Sequence, residues 1–279
     1  MQGRKQHLEP CTFYLVPLPM LTLTQSHLRQ LETCPRRFQY GYLEQVPVPT
    51  DPEMLERQRW GTQFHLVMQQ RELGLPIEGF LREDAVLDAA VQGLLAAAPE
   101  LFAPQGDRFR QSEHRRTLAF NGYLLAAVYD LLVLEPGRGQ IIDWKTYQRP
   151  STQAQLAKAW QTRLYLYLLV ETSELTPDQV SMTYWFVAPP GAEARSEPPS
   201  SSIISYSAAQ HQRTEADLRR LTDRLTDLLA PGGDLPQADP DRGHCDRCSY
   251  TVRCQRGSDR FGTEAVVLPA IADIAEVPL

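Results

Sequence analysis

Asp143 and Lys145 stand two apart in the run Ile141-Ile142-Asp143-Trp144-Lys145-Thr146. The run 140–146 reads as a β-strand, and strand side chains alternate, so the carboxylate and the ammonium share a face. Upstream, Asn121-Gly122 marks a two-residue hairpin turn between strands at 113–120 and 123–134, because both residues tolerate positive φ. Pairing Phe120 with Tyr123 across that turn puts Glu113 opposite Asp130. Pairing Val133 with Gln140 across the second turn, Pro136-Gly137-Arg138-Gly139, puts Asp130 opposite Asp143; a slip of one residue would send the two acids to opposite faces. Facing acids are unfavourable unless a cation lies between them. Three carboxylates and a lysine are an oxygen-rich site for a hard cation, Mg²⁺ or Mn²⁺. A metal there can polarise a phosphodiester, hold a water and stabilise a leaving oxygen, with Lys145 orienting or activating the water. Asp-x-Lys alone on a strand reads more simply as a surface ion pair; Glu113 and Asp130 at matching positions are what favour the metal.

The cysteines form a second constellation. Cys245-x-x-Cys248-x5-Cys254 is compact, and Cys34 lies more than 200 residues earlier. A zinc ribbon would bring two close pairs. Three readings of the four thiols stay open: an iron–sulfur cluster, a zinc site and unrelated free thiols. Cys11 fits none of them.

The elements that must position these groups follow from periodicity and punctuation. Residues 24–33 read as a short helix capped by Thr24 or Ser26 and ended by Cys34-Pro35. Phe38 and Tyr42 continue for another turn or two. Helices follow at 52–73, carrying Trp60, Phe64 and His65, and at 83–98. After the three strands, 152–171 is helical, 180–187 and 203–206 are strands around a Pro/Ser/Glu-rich loop, and 208–229 is an amphipathic helix. A Pro/Gly/Asp linker at 231–243 leads to the cysteine triplet, and 255–279 is a weakly patterned tail. The organisation expected is an extension at 1–20, a helical region at 21–110, a core at 111–230 and a cysteine-bearing segment at 231–279. The fold class is α/β (α+β), a mixed sheet flanked by helices.

The 279 residues suffice for a sizeable core, and 42% hydrophobic with 22% charged residues is ordinary for a globular chain. A net charge of −6 leaves any nucleic-acid surface to local arginine clusters at 57–59, 108–116 and 219–224. No apolar run reaches the roughly 18 residues of a membrane span. Pro17 and Pro19 interrupt the apolar stretch near the N-terminus, so the chain reads as cytoplasmic, with no membrane partner.

Gly61-Thr62-x-x-His65, Glu113, Asp130, Ile142-Asp143-Trp144-Lys145-Thr146 and Gln161-x-x-x-Tyr165 follow the motif order of the PD-(D/E)XK nuclease superfamily, and the chain most resembles its RecB-like branch. The resemblance implies a restriction-endonuclease-like core in which His65, Asp130 and Asp143 bind metal, Lys145 is catalytic with Glu113 beside it, and Gln161 and Tyr165 support the site or touch DNA together with Gly61 and Thr62. A histidine ligand favours Mn²⁺ over Mg²⁺. Two positions depart from the pattern: Ala127 stands where many members have glycine, and Asp143 where many have glutamate. Neither departure removes a catalytic group. Cys34-Pro35-x-x-Phe38 with the C-terminal triplet resembles the iron–sulfur staple of AddB-type nucleases and four-cysteine CRISPR-associated exonucleases. That implies a [4Fe–4S] cluster on Cys34, Cys245, Cys248 and Cys254 joining the terminal segments, with Zn²⁺ as the alternative.

The expected activity is metal-dependent hydrolysis of DNA, as an exonuclease on single strands or ends, in repair, recombination or defence. The alternatives are a non-catalytic nucleic-acid-binding protein that keeps the fold, and a zinc-stabilised adaptor. A helicase, recombination or CRISPR partner follows only by analogy. Trp60, Tyr165 and Tyr167 are candidates to stack on bases, with core packing the competing role.

Overall fold

The computed structural model describes residues 20–48, 51–103, 108–147, 152–187, 198–246 and 248–256. Residues 1–19 of the extension expected at 1–20, and most of the C-terminal tail, lie outside the described residues. In chain order the elements are β1 (Thr22–Leu23), α1 (Gln25–Thr33), α2 (Pro35–Phe38) with a wide turn at Gln39–Leu43, α3 (Pro52–Glu72), α4 (Glu78–Glu83), α5 (Ala85–Ala97), α6 (Pro99–Phe102), β2 (Phe109–Phe120), β3 (Tyr123–Glu135), β4 (Arg138–Lys145), α7 (Gln153–Lys158), α8 (Trp160–Glu171), β5 (Val180–Phe186), β6 (Ser200–Ser205) and α9 (Ala208–Leu229).

The sheet is mixed. β3 is its longest strand. β2 runs antiparallel along one edge of it, while β4 and the short parallel β1 share the other. β4 then pairs in parallel with β5, and β5 antiparallel with β6. One layer of core lies between the sheet and α1, α8 and α9, built on Leu28, Leu31, Leu164, Leu168, Leu218 and Leu221. The other lies under α3 and α5, built on Phe64, Val67, Met68, Leu87, Val91 and Leu94. Both faces are covered, which is why β3 reads as a nearly continuous apolar run.

Both hairpin registers expected from the sequence are present. Phe120 pairs with Tyr123, and Val133 with Gln140. Asn121 and Gly122 both have positive φ, 49° and 83°, as a two-residue turn of this kind requires. The chain differs from its sequence reading in small elements. β1 is two residues long, too short to show a period, and α4 and α6 have only six and four residues. The helix expected over 152–171 is two helices, because Ala159 is extended, with ψ 140°, and caps both.

Candidate functional site

Glu113 and Asp130 sit where the alternation of two strands turns over. On β3, Leu125, Ala127 and Tyr129 pack in the α8 layer, whereas Leu131 and Val133 pack in the α3/α5 layer. β2 does the same. His114 stacks on Tyr129 and Arg116 reaches Thr172 at the end of α8, but Arg110 pairs with Glu72 of α3. Pairing resumes in the same register on both sides, with Ser112 against Leu131 and His114 against Tyr129. Glu113 absorbs the turnover with a left-handed φ of 49°, a conformation unfavourable for a residue with a Cβ. The two facing acids are therefore released from the strict in–out rule of a strand.

α3 meets them from above. His65 Nδ1 lies 3.4 Å from Asp130 Oδ2. Ligand atoms of His65, Glu113 and Asp130 all fall within 4.8 Å of one another, the spacing a single ion needs. Gly61 makes the approach possible: a Cβ there would stand 2.7 Å from Thr146 Oγ1, just past the end of β4. Thr62 spends its hydroxyl on the Gln58 carbonyl and stays on the exposed side of α3.

Asp143 and Lys145 lie alongside rather than within that trio. The β3–β4 ladder ends at Leu131–Ile142, one rung before Asp130 and Asp143 would face each other. In place of that rung, Asp130 Oδ2 accepts the Trp144 N–H at 2.7 Å. Asp143 is buried, and its Oδ2 lies 2.7 Å from Lys145 Nζ. Gln161, from the first turn of α8, bridges the pair: its Nε2 donates to Asp143 Oδ1 at 2.5 Å and its Oε1 accepts from Lys145 Nζ at 2.8 Å.

Electrostatics mark the site as strained without a cation. Burial pushes the Asp143 carboxyl well above its ordinary value, and the Asp130 charge pushes it further, against the pull of Lys145. Burial and Asp130 likewise raise Glu113. Burial opposes protonation of His65, but the Asp130 hydrogen bond and the charges of Asp130 and Asp143 outweigh it and raise the imidazole. Burial opposes the charge on Lys145 too, and Asp143 overcomes it, so the side chain is held as an ammonium. One imidazole and two carboxylates in reach of one point, with a third buried acid beside them, fit a divalent cation; its charge would offset the rise at Asp143 and Glu113.

Tyr165 does not present a base-stacking face. It is 5% exposed and packs on Tyr129 with ring centres 5.2 Å apart. Tyr167 is buried as well, and Trp60 stacks on Phe64 within the α3 layer. The exposed aromatic at the site is Tyr147, two residues past Lys145, which periodicity could not single out because the strand has ended there.

The four cysteines of the sequence pattern line one pocket with Arg37, His244 and Arg256. Cys34 caps α1, and the Ala238 N–H points at its sulfur at 3.4 Å. Arg256 Nη1 lies 3.5 Å from Cys245 Sγ. The linker before the triplet is tied back to α2: Arg36 pairs with Asp234 at 2.6 Å, and Gln39 exchanges hydrogen bonds with Gly233 and Leu235.

No curated protein matches the chain in sequence. Among solved structures, a candidate exonuclease from Eubacterium rectale is similar over 89% of this chain and 94% of its own, with 11% identity and a TM-score of 0.52, a likeness of fold. The structure of SSO0001 is similar over 84% of this chain and 85% of its own, with 16% identity and a TM-score of 0.38. The family model of the PD-(D/E)XK nucleases matches residues 22–255, a span that holds the sheet, the acids, the lysine and all four pocket cysteines. A match over so much of the chain decides its kinship: it belongs to the PD-(D/E)XK nuclease superfamily.

Proposed function

We propose that this nuclease is a Mg²⁺- or Mn²⁺-dependent deoxyribonuclease, an exonuclease acting on single strands or DNA ends in repair, recombination or defence. The observation that carries the reading is the convergence of His65, Glu113 and Asp130 beside the Asp143–Lys145–Gln161 cluster. His65, Glu113 and Asp130 would hold the cation, with the buried Asp143 beside them. A divalent cation bound there supplies Lewis acidity at the scissile phosphate. Lys145 is an ammonium rather than a base. It orients the attacking water and offsets charge gathering on the phosphorus oxygens, and Asp143 and Gln161 fix where its Nζ stands. The imidazole ligand favours Mn²⁺.

The four thiols hold a [4Fe–4S] cluster in this reading, as in the RecB-like branch. The surroundings of the sulfurs support it. The Ala238 N–H and Arg256 at the sulfurs suit the negative charge of a thiolate-bound cluster.

Digestion of end-labelled single- and double-stranded DNA with Mg²⁺ or Mn²⁺ tests the function. Wild type should cut and Lys145→Ala should not. Equal activity of the two overturns the mechanism, and elemental analysis for iron against zinc decides the thiol site.

A further inference from the structure

Two grooves meet at Tyr147. One, of about 800 Å³, runs along α3 past Arg57, Gln58, Thr62 and Gln69 to His65 and Glu113. The other, of about 490 Å³, runs between α1 and α7 past Arg29, Gln155 and Lys158 to Lys145 and Gln161. Tyr147 lines both, and Lys145 opens into the second. Resting on the nuclease reading, we infer that one unpaired strand of nucleic acid crosses Lys145 from groove to groove, with the base beside the scissile phosphate stacked on Tyr147.

Charge and chemistry agree along the whole path. In the second groove Arg29, Lys145 and Lys158 stand against one acid, Glu32, whose carboxylate already accepts the Trp160 indole N–H at 2.8 Å. In the first, among the described residues, Glu113 of the candidate metal centre is the only carboxylate in the lining; Arg57, which also reaches Glu53, and the uncharged amides and hydroxyl of Gln58, Gln69 and Thr62 stand beyond it. These described groups leave a phosphate little to repel it away from the cation. Tyr147 is 47% exposed, and Phe186 braces its ring by an edge contact at 6.2 Å. A lone exposed tyrosine is ordinary. This one stands where the two grooves join, two residues from Lys145. A base already stacked and paired in a duplex has no free face to give it, so the tyrosine selects for an unpaired strand.

The test uses the full-length protein with Ca²⁺ in place of Mg²⁺, so that the substrate stays uncut. The probe is an oligonucleotide carrying 2-aminopurine, whose fluorescence is quenched by stacking, alone and annealed as a duplex. Tyr147→Ala should weaken binding of the single strand at least about fivefold and relieve the quenching, with duplex affinity changed less than about twofold. Tyr147→Phe should behave as wild type. Unchanged single-strand affinity in Tyr147→Ala, equal loss for strand and duplex, or a phenylalanine variant as weak as the alanine overturns the inference. Cleavage with Mn²⁺ is scored separately. A wild type that binds and quenches but cuts nothing refutes the nuclease reading alone, and cutting with no effect of Tyr147 refutes the strand path alone.

Discussion

The Trp160 indole donates to Glu32 at 2.8 Å, and this bond joins the two constellations. Glu32 lies in the last turn of α1, two residues before Cys34. Trp160 opens α8, one residue before Gln161, whose amide holds Lys145 and Asp143. Trp160→Phe keeps an aromatic ring beneath the Arg163 guanidinium but removes the N–H and part of the buried indole. A loss of about 1–3 kcal/mol is expected, a fall in melting temperature of several degrees. The cleavage rate should drop roughly tenfold with Mn²⁺ affinity unchanged, because the bond sets where Gln161 stands. A rate equal to wild type would show that α8 holds its own end in place.

Metal affinity and catalytic rate should separate among the site residues. Asp130→Asn removes a ligand of the trio and should weaken Mn²⁺ binding at least about tenfold, the scale at which even supporting contacts of metal sites act. Gln161→Ala should leave Mn²⁺ binding within about twofold of wild type, yet lower kcat by up to about 100-fold, since a small displacement of Lys145 is enough. Calorimetric titration with Mn²⁺ and single-turnover cleavage measure the two independently.

Metal binding should weaken as pH falls, and early. A proton and a cation compete for His65. Its imidazole is raised above the ordinary 6.5, so protonation sets in above that value on the way down. The raised Glu113 adds to the loss at lower pH. Without metal the sign reverses: a raised folded pKa contributes stability that is fully present below 6.5 and is lost as pH rises through the folded value. Mn²⁺ titrations and metal-free melting curves between about pH 5.5 and 8.5 should therefore trend in opposite directions, and both trends should shrink in His65→Ala.

Gly61→Ala should destabilise the protein by about 1–3 kcal/mol, because its methyl would meet Thr146 Oγ1 at 2.7 Å. Combining it with Thr146→Ala, which removes the obstructing hydroxyl, should restore most of the loss. A double variant no more stable than Gly61→Ala would place the strain elsewhere.

Cys34→Ala should lose iron, the absorption near about 400 nm and folded yield together. Retained absorption would exclude Cys34 as a ligand.

Turn chemistry and strand alternation made both hairpin registers legible in the chain alone, and residue types and spacing named the candidates for each constellation. Asn121-Gly122 fixes one turn by its positive φ, and Val133 against Gln140 follows from placing Asp130 opposite Asp143. Those rules are local, so they are legible without a fold. They put Asp143 in one row with Asp130, whereas the ladder ends at Leu131–Ile142, one rung before that pair. β2 and β3 turn over at Glu113 and Asp130, and those two acids meet His65 of α3, which Gly61 lets close to Thr146. Asp143 keeps its face and is claimed by Lys145 and by Gln161 of α8, a helix no strand rule foresees. The meeting of Cys34 with a triplet beyond residue 244 likewise depends on how α2 grips the returning linker through Arg36 and Gln39. Spacing along the chain names the partners; only packing between layers brings them within bonding distance.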